Sequence, residues 1–169
     1  ELLHPFTLVL FGANGDLSLR KLIPSLFNLH QDGRLHEDGH IIAVTSSDEN
    51  RDVYLQQAKT ALSQFEKTPD EKIWRNFTAR ISHIQMDAGK GAGYSKLAKK
   101  LAGLPANRIF YCAVHSRVYP QIAEQLFAHD LIGECSRIVL EKPIGTDFAS
   151  AMHIDQRVAE FFAEQQIFR

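Results

Sequence analysis

Cysteine is scarce in this chain. Cys112 and Cys135 are the only two, and neither belongs to a C-x-x-C pair. The histidines are scattered without metal-ligand spacing. These absences argue against a disulfide framework and a zinc site, and the cysteine usage fits a reducing cytoplasm. Long apolar runs are missing as well. The longest are strand-sized, too short to cross a bilayer. No signal-peptide pattern follows Glu1. An excess of one charge is also lacking: 19 Lys and Arg against 20 Asp and Glu leave a net charge of -1. Nothing electrostatic therefore recommends a nucleic acid or an anionic membrane as a partner.

What is present suits one ordinary globular domain. The chain has 169 residues and is 44% hydrophobic. That length buries roughly two thirds of the surface an unfolded chain exposes. The most informative stretch is Phe6 to Lys21, FTLVLFGANGDLSLRK. Phe6 to Phe11 has the length and apolar content of a buried strand. Gly12 and Gly15 punctuate the turn. Asp16 can cap a helix, and Leu17 onward carries helical spacing. A strand, a glycine-bearing turn and a helix make an anion-binding device, because the first helical N–H groups have no intrahelical acceptor. In an α/β chain the usual anion is a dinucleotide pyrophosphate. The general fingerprint is G-x-G-x-x-G, and only two of its glycines stand here. A plain strand–turn–helix corner is the alternative. A G-x-x-x-x-G-K-[ST] phosphate loop fails on spacing, since Lys21 lies six residues past Gly15.

The remaining elements alternate. The spacing predicts a helix from about Asp16 to Gln31, with Gly33 just past its end and Pro24 either kinking it or starting a second helix. A strand is expected over His40–Thr45. A helical stripe runs from Val53 to Phe65, and a further helix from Pro69 to Phe77. Arg80–Met86 reads as a strand, Gly89 to Gly93 as a loop, and Tyr94–Leu101 as a helix. Asn107–Val114 is a strand in which Cys112 would be buried. Val118–His129 is a helix, Ser136–Glu141 a strand, Lys142 to Gly145 a turn, and Asp147–Gln165 a last helix. This order predicts an α/β fold: a doubly wound, mainly parallel, Rossmann-like sheet with helices on both faces. Ligands in such sheets sit beyond the carboxyl ends of the strands.

Those strand ends carry a family likeness. Gly12-Ala13-Asn14-Gly15-Asp16-Leu17 with Arg20-Lys21 is its first motif, and Asn107 to Tyr111 its second. Arg137-Ile138-Val139-Leu140-Glu141-Lys142-Pro143-Ile144-Gly145-Thr146-Asp147 is its third, and Gln166 to Arg169 closes it. The chain resembles, along its whole length, the N-terminal coenzyme-binding domain of glucose-6-phosphate dehydrogenases. The E-K-P-x-G-x-D run is the most specific part.

The resemblance implies oxidation of glucose 6-phosphate at C1 to 6-phosphogluconolactone, the oxidative branch of the pentose phosphate pathway. Hydride would pass to NADP, with NAD as the other candidate. Gly12, Ala13, Asn14, Gly15, Asp16 and Leu17 would hold the pyrophosphate, with Lys21 adding charge nearby. Lys142 would reach substrate and nicotinamide, and Pro143 would be cis. Asp87 and Ala88 would flank the adenine. The resemblance also implies a cytoplasmic homo-oligomer in the whole enzyme. The whole chain, residues 1–169, would be the coenzyme domain. The C-terminal substrate domain and the general-base histidine would lie beyond Arg169, leaving this part inactive alone.

Two departures stand inside the chain. The family carries an arginine after the second strand for the 2′-phosphate of NADP. Here the residues are Ser46-Ser47-Asp48. The serines can donate hydrogen bonds, Asp48 would repel a phosphate or accept from a ribose hydroxyl, and Arg51 is the one nearby substitute. The preference between NADP and NAD therefore stays open, with relaxed or NAD-leaning use as one reading. Second, His115-Ser116 replaces a pair of prolines, which reads as a loop substitution. Two other readings stay open: a stand-alone nucleotide-binding module without catalysis, and a Rossmann oxidoreductase for another sugar phosphate.

Overall fold

The computed structural model describes residues 3–169. Its centre is β1 (Thr7–Phe11), all five residues of which are buried. Alternate side chains of β1 feed two separate cores. Leu8 and Leu10 join one, and Val9 and Phe11 the other. That explains why the strand reads as an unbroken apolar run: both of its faces are covered.

β2 (His40–Thr45) and β3 (Ile81–Gln85) extend the sheet on one side of β1. β4 (Arg108–Cys112), β5 (Arg137–Leu140) and the short β6 (Ile167–Phe168) extend it on the other. The order is β3-β2-β1-β4-β5-β6, and every pairing is parallel. Phe11 stands opposite Val44 of β2 and Cys112 of β4, so the three strands end together on one rim. α1 (Ile23–Gln31), α2 (Arg51–Phe65) and α3 (Glu71–Thr78) cover one face through Phe27, Tyr54, Leu62 and Phe77. α4 (Tyr94–Leu101), α5 (Tyr119–Ala128) and α6 (Phe148–Ala159) cover the other through Leu97, Ile122 and Val158. Cys112 is buried.

Two sequence expectations are corrected, and the alternative left open at Pro24 is decided. The stretch from Asp16 to Gln31 is two pieces, the second starting beside Pro24. A wider π-helical turn, Ser18–Leu22, precedes α1, and Pro24 sits in the first turn of α1. Proline has no N–H and crowds the carbonyl four residues back, so the ladder opens just before it; Ile23 N–H donates to Ser18 C=O instead. Asp16 does not cap. No side chain caps this helix start, and Asp16 pairs with Arg20 at 3.3 Å. The last helix stops at Ala159, not Gln165, and the chain then adds β6 beside β5. The other elements agree to within a few residues. α2 starts two residues earlier than its apolar stripe, because Asn50 accepts from Val53 N–H at 3.0 Å and caps it. Among the described residues no helix is long and apolar enough to cross a membrane.

Candidate coenzyme site

Strand order reverses between β1 and β4, and this is where Gly12 sits. Its N–H and that of Ala13 both donate to Val44 C=O at 3.0 Å, joining the turn to β2. Ala113 N–H donates to Phe11 C=O at 2.9 Å from the other side. Gly12 has φ +78°, and a Cβ there would lie 2.3 Å from the Ala113 carbonyl oxygen. No side chain fits. The glycine lets two backbones meet at the switch point of the sheet.

The turn is then closed from within. Gly15 N–H donates to Gly12 C=O at 3.0 Å, and the buried Ser18 hydroxyl donates to the same carbonyl at 2.8 Å. The Tyr54 hydroxyl, from α2, donates to Ala13 C=O at 3.2 Å. Burial, and after it the Glu49 carboxylate, pushes the Tyr54 phenol well above its usual range, so it stays a donor. Asp16 and Leu17, at the head of the helix, offer N–H groups that no intrahelical carbonyl can reach. That is the donor set a diphosphate requires.

The rim carries two hollows, one on each side of this turn. The first, about 190 Å³, touches Gly12, Ser46, Asp87 and Ala88. Ala88 is buried, and its carbonyl accepts from Tyr94 Oη at 2.7 Å. The Asp87 carboxylate accepts from Gly89 N–H at 2.9 Å and pairs with Lys90 at 3.2 Å. Those two bonds hold it below the usual carboxylate range. The second hollow, about 220 Å³, touches His115, Ser116, Glu141, Lys142 and Pro143. The Lys142–Pro143 peptide is cis, as the resemblance implied. A larger hollow of about 650 Å³ lies beside the turn, between Asn14 to Arg20 and α2. It is off the strand ends and away from Lys142. The two smaller ones flank the switch point, where the backbone donors converge, and they form the crevice.

Side chains to which the sequence reading gave no site role hold the second hollow in shape. Tyr111 donates to the Glu141 carboxylate. Tyr119 Oη donates to Glu141 C=O at 3.1 Å, and burial pushes its phenol up to about 12. The buried Ser116 hydroxyl accepts from Gly145 N–H at 3.2 Å, tying the loop after β4 to the turn after β5. His115 Nδ1 accepts from Arg117 N–H at 3.2 Å. So Ser116 does more than fill a loop. A tyrosine in an apolar stripe is the available sequence signal for Tyr54 and Tyr119, because a buried hydroxyl needs a partner.

Of the residues singled out from the sequence, Gly12 to Leu17 form the turn. Ser46, Asp87 and Ala88 line the first hollow, and Lys142 and Pro143 the second. Ser47 accepts from Asn14 Nδ2 at 2.6 Å. Lys21 is exposed on the π-helical turn and lines neither hollow. Arg51 is directed elsewhere: its guanidinium donates to Ile81 C=O at 2.9 Å and Thr78 C=O at 2.6 Å, at the start of β3.

Residues 9–169 match the sequence profile described as glucose-6-phosphate dehydrogenase, NAD binding domain. The chain belongs to the glucose-6-phosphate dehydrogenase family. It is 36% identical to glucose-6-phosphate 1-dehydrogenase of Gluconobacter oxydans, covering 98% of this chain and 35% of that protein. To the Rhizobium meliloti enzyme it is 37% identical, covering 98% and 34%. The crystal structure of the Mycobacterium avium enzyme superposes with a TM-score of 0.88 at 30% identity, over 98% of this chain and 36% of that one. A second solved structure, glucose-6-phosphate dehydrogenase in complex with its substrate glucose-6-phosphate, gives a TM-score of 0.86 at 26% identity. Here the chain covers 37% of the matched structure. The chain thus spans about a third of the length of these relatives, and what it matches is the family's nucleotide-binding domain.

Proposed function

We propose that this chain is the coenzyme half of a dehydrogenase that oxidises glucose 6-phosphate at C1 to 6-phosphogluconolactone. The observation that carries the reading is the rim itself. The Gly12 turn, after β1, and the Lys142-Pro143 corner, after β5, lie on the same rim with only β4 between them, on either side of the switch point of one parallel sheet. Bound there, a nicotinamide dinucleotide, NADP or NAD, would accept the hydride. The N–H groups of Asp16 and Leu17 would receive its diphosphate, with Lys21 contributing charge from the surface of the same helix start. Ser46, Ser47, Asp87 and Ala88 would enclose the adenosine end.

Lys142 would orient an anionic sugar at the nicotinamide end. Its ammonium is exposed, at a corner that Tyr119 and Ser116 brace from below. Loss of hydride from C1 needs a base to take the hydroxyl proton. His115 is not placed for that, because its Nδ1 is taken by the Arg117 N–H. The base and most of the sugar site would come from a substrate domain outside these residues. The whole enzyme would work as a cytoplasmic homo-oligomer in the oxidative pentose phosphate pathway.

Two measurements test this. Calorimetric titration of this chain with NAD and NADP should show binding of at least one. The complete enzyme should reduce that coenzyme only when glucose 6-phosphate is added, while this chain alone should not. Failure of both coenzymes to bind, or turnover by this chain alone, contradicts the reading.

A further inference from the structure

The loop between β2 and α2 carries a carboxylate that is tied to the glycine turn. Asn14, in that turn, donates from Nδ2 to Glu49 Oε1 at 3.0 Å and to Ser47 Oγ at 2.6 Å. The other oxygen of Glu49 accepts from Gln57 Nε2 at 2.8 Å. Both partners of Glu49 are therefore neutral amides. Two bonds hold its charge in place, and among the described residues no guanidinium or ammonium pairs with it. The charge is felt nearby, since it helps to raise the Tyr54 phenol and opposes the lowering of the His83 imidazole. Asp48 stands exposed beside it. Arg51, the first residue of α2, spends its donors on Thr78 and Ile81.

In a parallel dinucleotide-binding sheet, the adenosine ribose lies between the glycine turn and the end of the second strand. An acidic side chain there accepts from a 2′-hydroxyl, whereas a 2′-phosphate needs an arginine. Resting on the coenzyme reading above, we infer that Glu49 selects NAD over NADP. Its fixed carboxylate repels a 2′-phosphate and accepts from a 2′-hydroxyl. Asp48 adds charge to the same loop but is not held against the turn, so it contributes less.

The test is calorimetric titration of this chain with NAD and with NADP, for the wild type, Glu49→Gln and Asp48→Asn. Glutamine keeps the length and polarity of the side chain and removes only the charge. The expected wild-type result is NAD bound at least tenfold tighter than NADP. Glu49→Gln should shrink that ratio by about tenfold, equivalent to about 1.4 kcal/mol, chiefly through tighter NADP binding. Asp48→Asn should move it less. A wild type that prefers NADP overturns the inference, as does an unchanged ratio in Glu49→Gln or a larger shift in Asp48→Asn. If neither coenzyme binds the wild type, the coenzyme reading falls and takes this inference with it. Binding of both with an unmoved ratio sinks the inference alone.

Discussion

The hydroxyl of Tyr54 donates to the carbonyl of Ala13 at 3.2 Å, across 41 residues of sequence. Tyr54 and Ala13 are both fully buried. One hydrogen bond thus couples the packing of α2 to the backbone of the glycine turn. Replacing Tyr54 by Phe keeps the ring and leaves the Ala13 carbonyl without this partner. The expected cost is about 1–2 kcal/mol in a urea titration, with weaker dinucleotide binding alongside. A variant as stable as wild type would show that the bond does not hold the turn.

The two glycines of the turn should respond unequally. Alanine at Gly12 meets a positive φ and a backbone oxygen 2.3 Å away. The left-handed backbone alone costs about 1–2 kcal/mol, and the clash adds to that. At Gly15 the nearest atom to an added Cβ is the Gly12 carbonyl oxygen at 3.2 Å. A shift of a few tenths of an ångström relieves it, so Gly15→Ala should cost under about 1 kcal/mol. Comparing the two denaturation midpoints checks the order. Equal losses would contradict the switch-point geometry.

Lys142 should separate function from stability. It is exposed, so Lys142→Ala should leave the unfolding free energy within about 0.5 kcal/mol of wild type. In the complete enzyme the same change should lower kcat/KM for glucose 6-phosphate by at least about tenfold. Lys21→Ala, on the helix start, should instead weaken coenzyme binding with little change in the KM for the sugar. Identical kinetic profiles for the two variants would refute the division of roles.

Partly buried histidines set a pH dependence. The imidazole of His83 is held below its ordinary value of 6.5, first by burial and then by nearby Lys96 and Arg51, against an opposing pull from Glu49. It is hydrogen-bonded to Thr45 Oγ1 at 2.8 Å and stacked on Tyr54. His40 and His30 are lowered too, again mainly by burial. A lowered histidine means that the unfolded chain binds more protons in the window between the two pKa values. Stability is then full above about pH 6.5 and declines as pH falls through the ordinary value toward the folded one. Denaturant midpoints measured between about pH 7.5 and 5 should fall, and His83→Gln should flatten part of the slope. A stability that rises on acidification over that range would refute this account.

Much of the frame was legible without coordinates. β1 announces itself as an apolar run because both its faces are buried, and the glycines behind it mark the turn. The alternation of strand and helix is enough for the doubly wound class. The position of the candidate residues was legible too: Gly12 to Leu17, Asp87-Ala88 and Lys142-Pro143 all follow the carboxyl ends of strands, on one rim. Its side-chain ties were not. Nothing near Arg51 in sequence shows that its guanidinium turns to Thr78 and Ile81. Nothing near Ser116 shows that its hydroxyl meets Gly145.

Local periodicity and turn chemistry, which act over a few residues, therefore determined the elements and the phosphate-type turn. Tertiary structure alone decided the order β3-β2-β1-β4-β5-β6, the two-residue strand Ile167–Phe168, and the capture of Asn14 by Glu49. Parallel pairing joins segments tens of residues apart. A two-residue strand is too short to carry a period. Where a long polar side chain ends is set by the carbonyls and amides that packing brings within its reach, not by its neighbours along the chain.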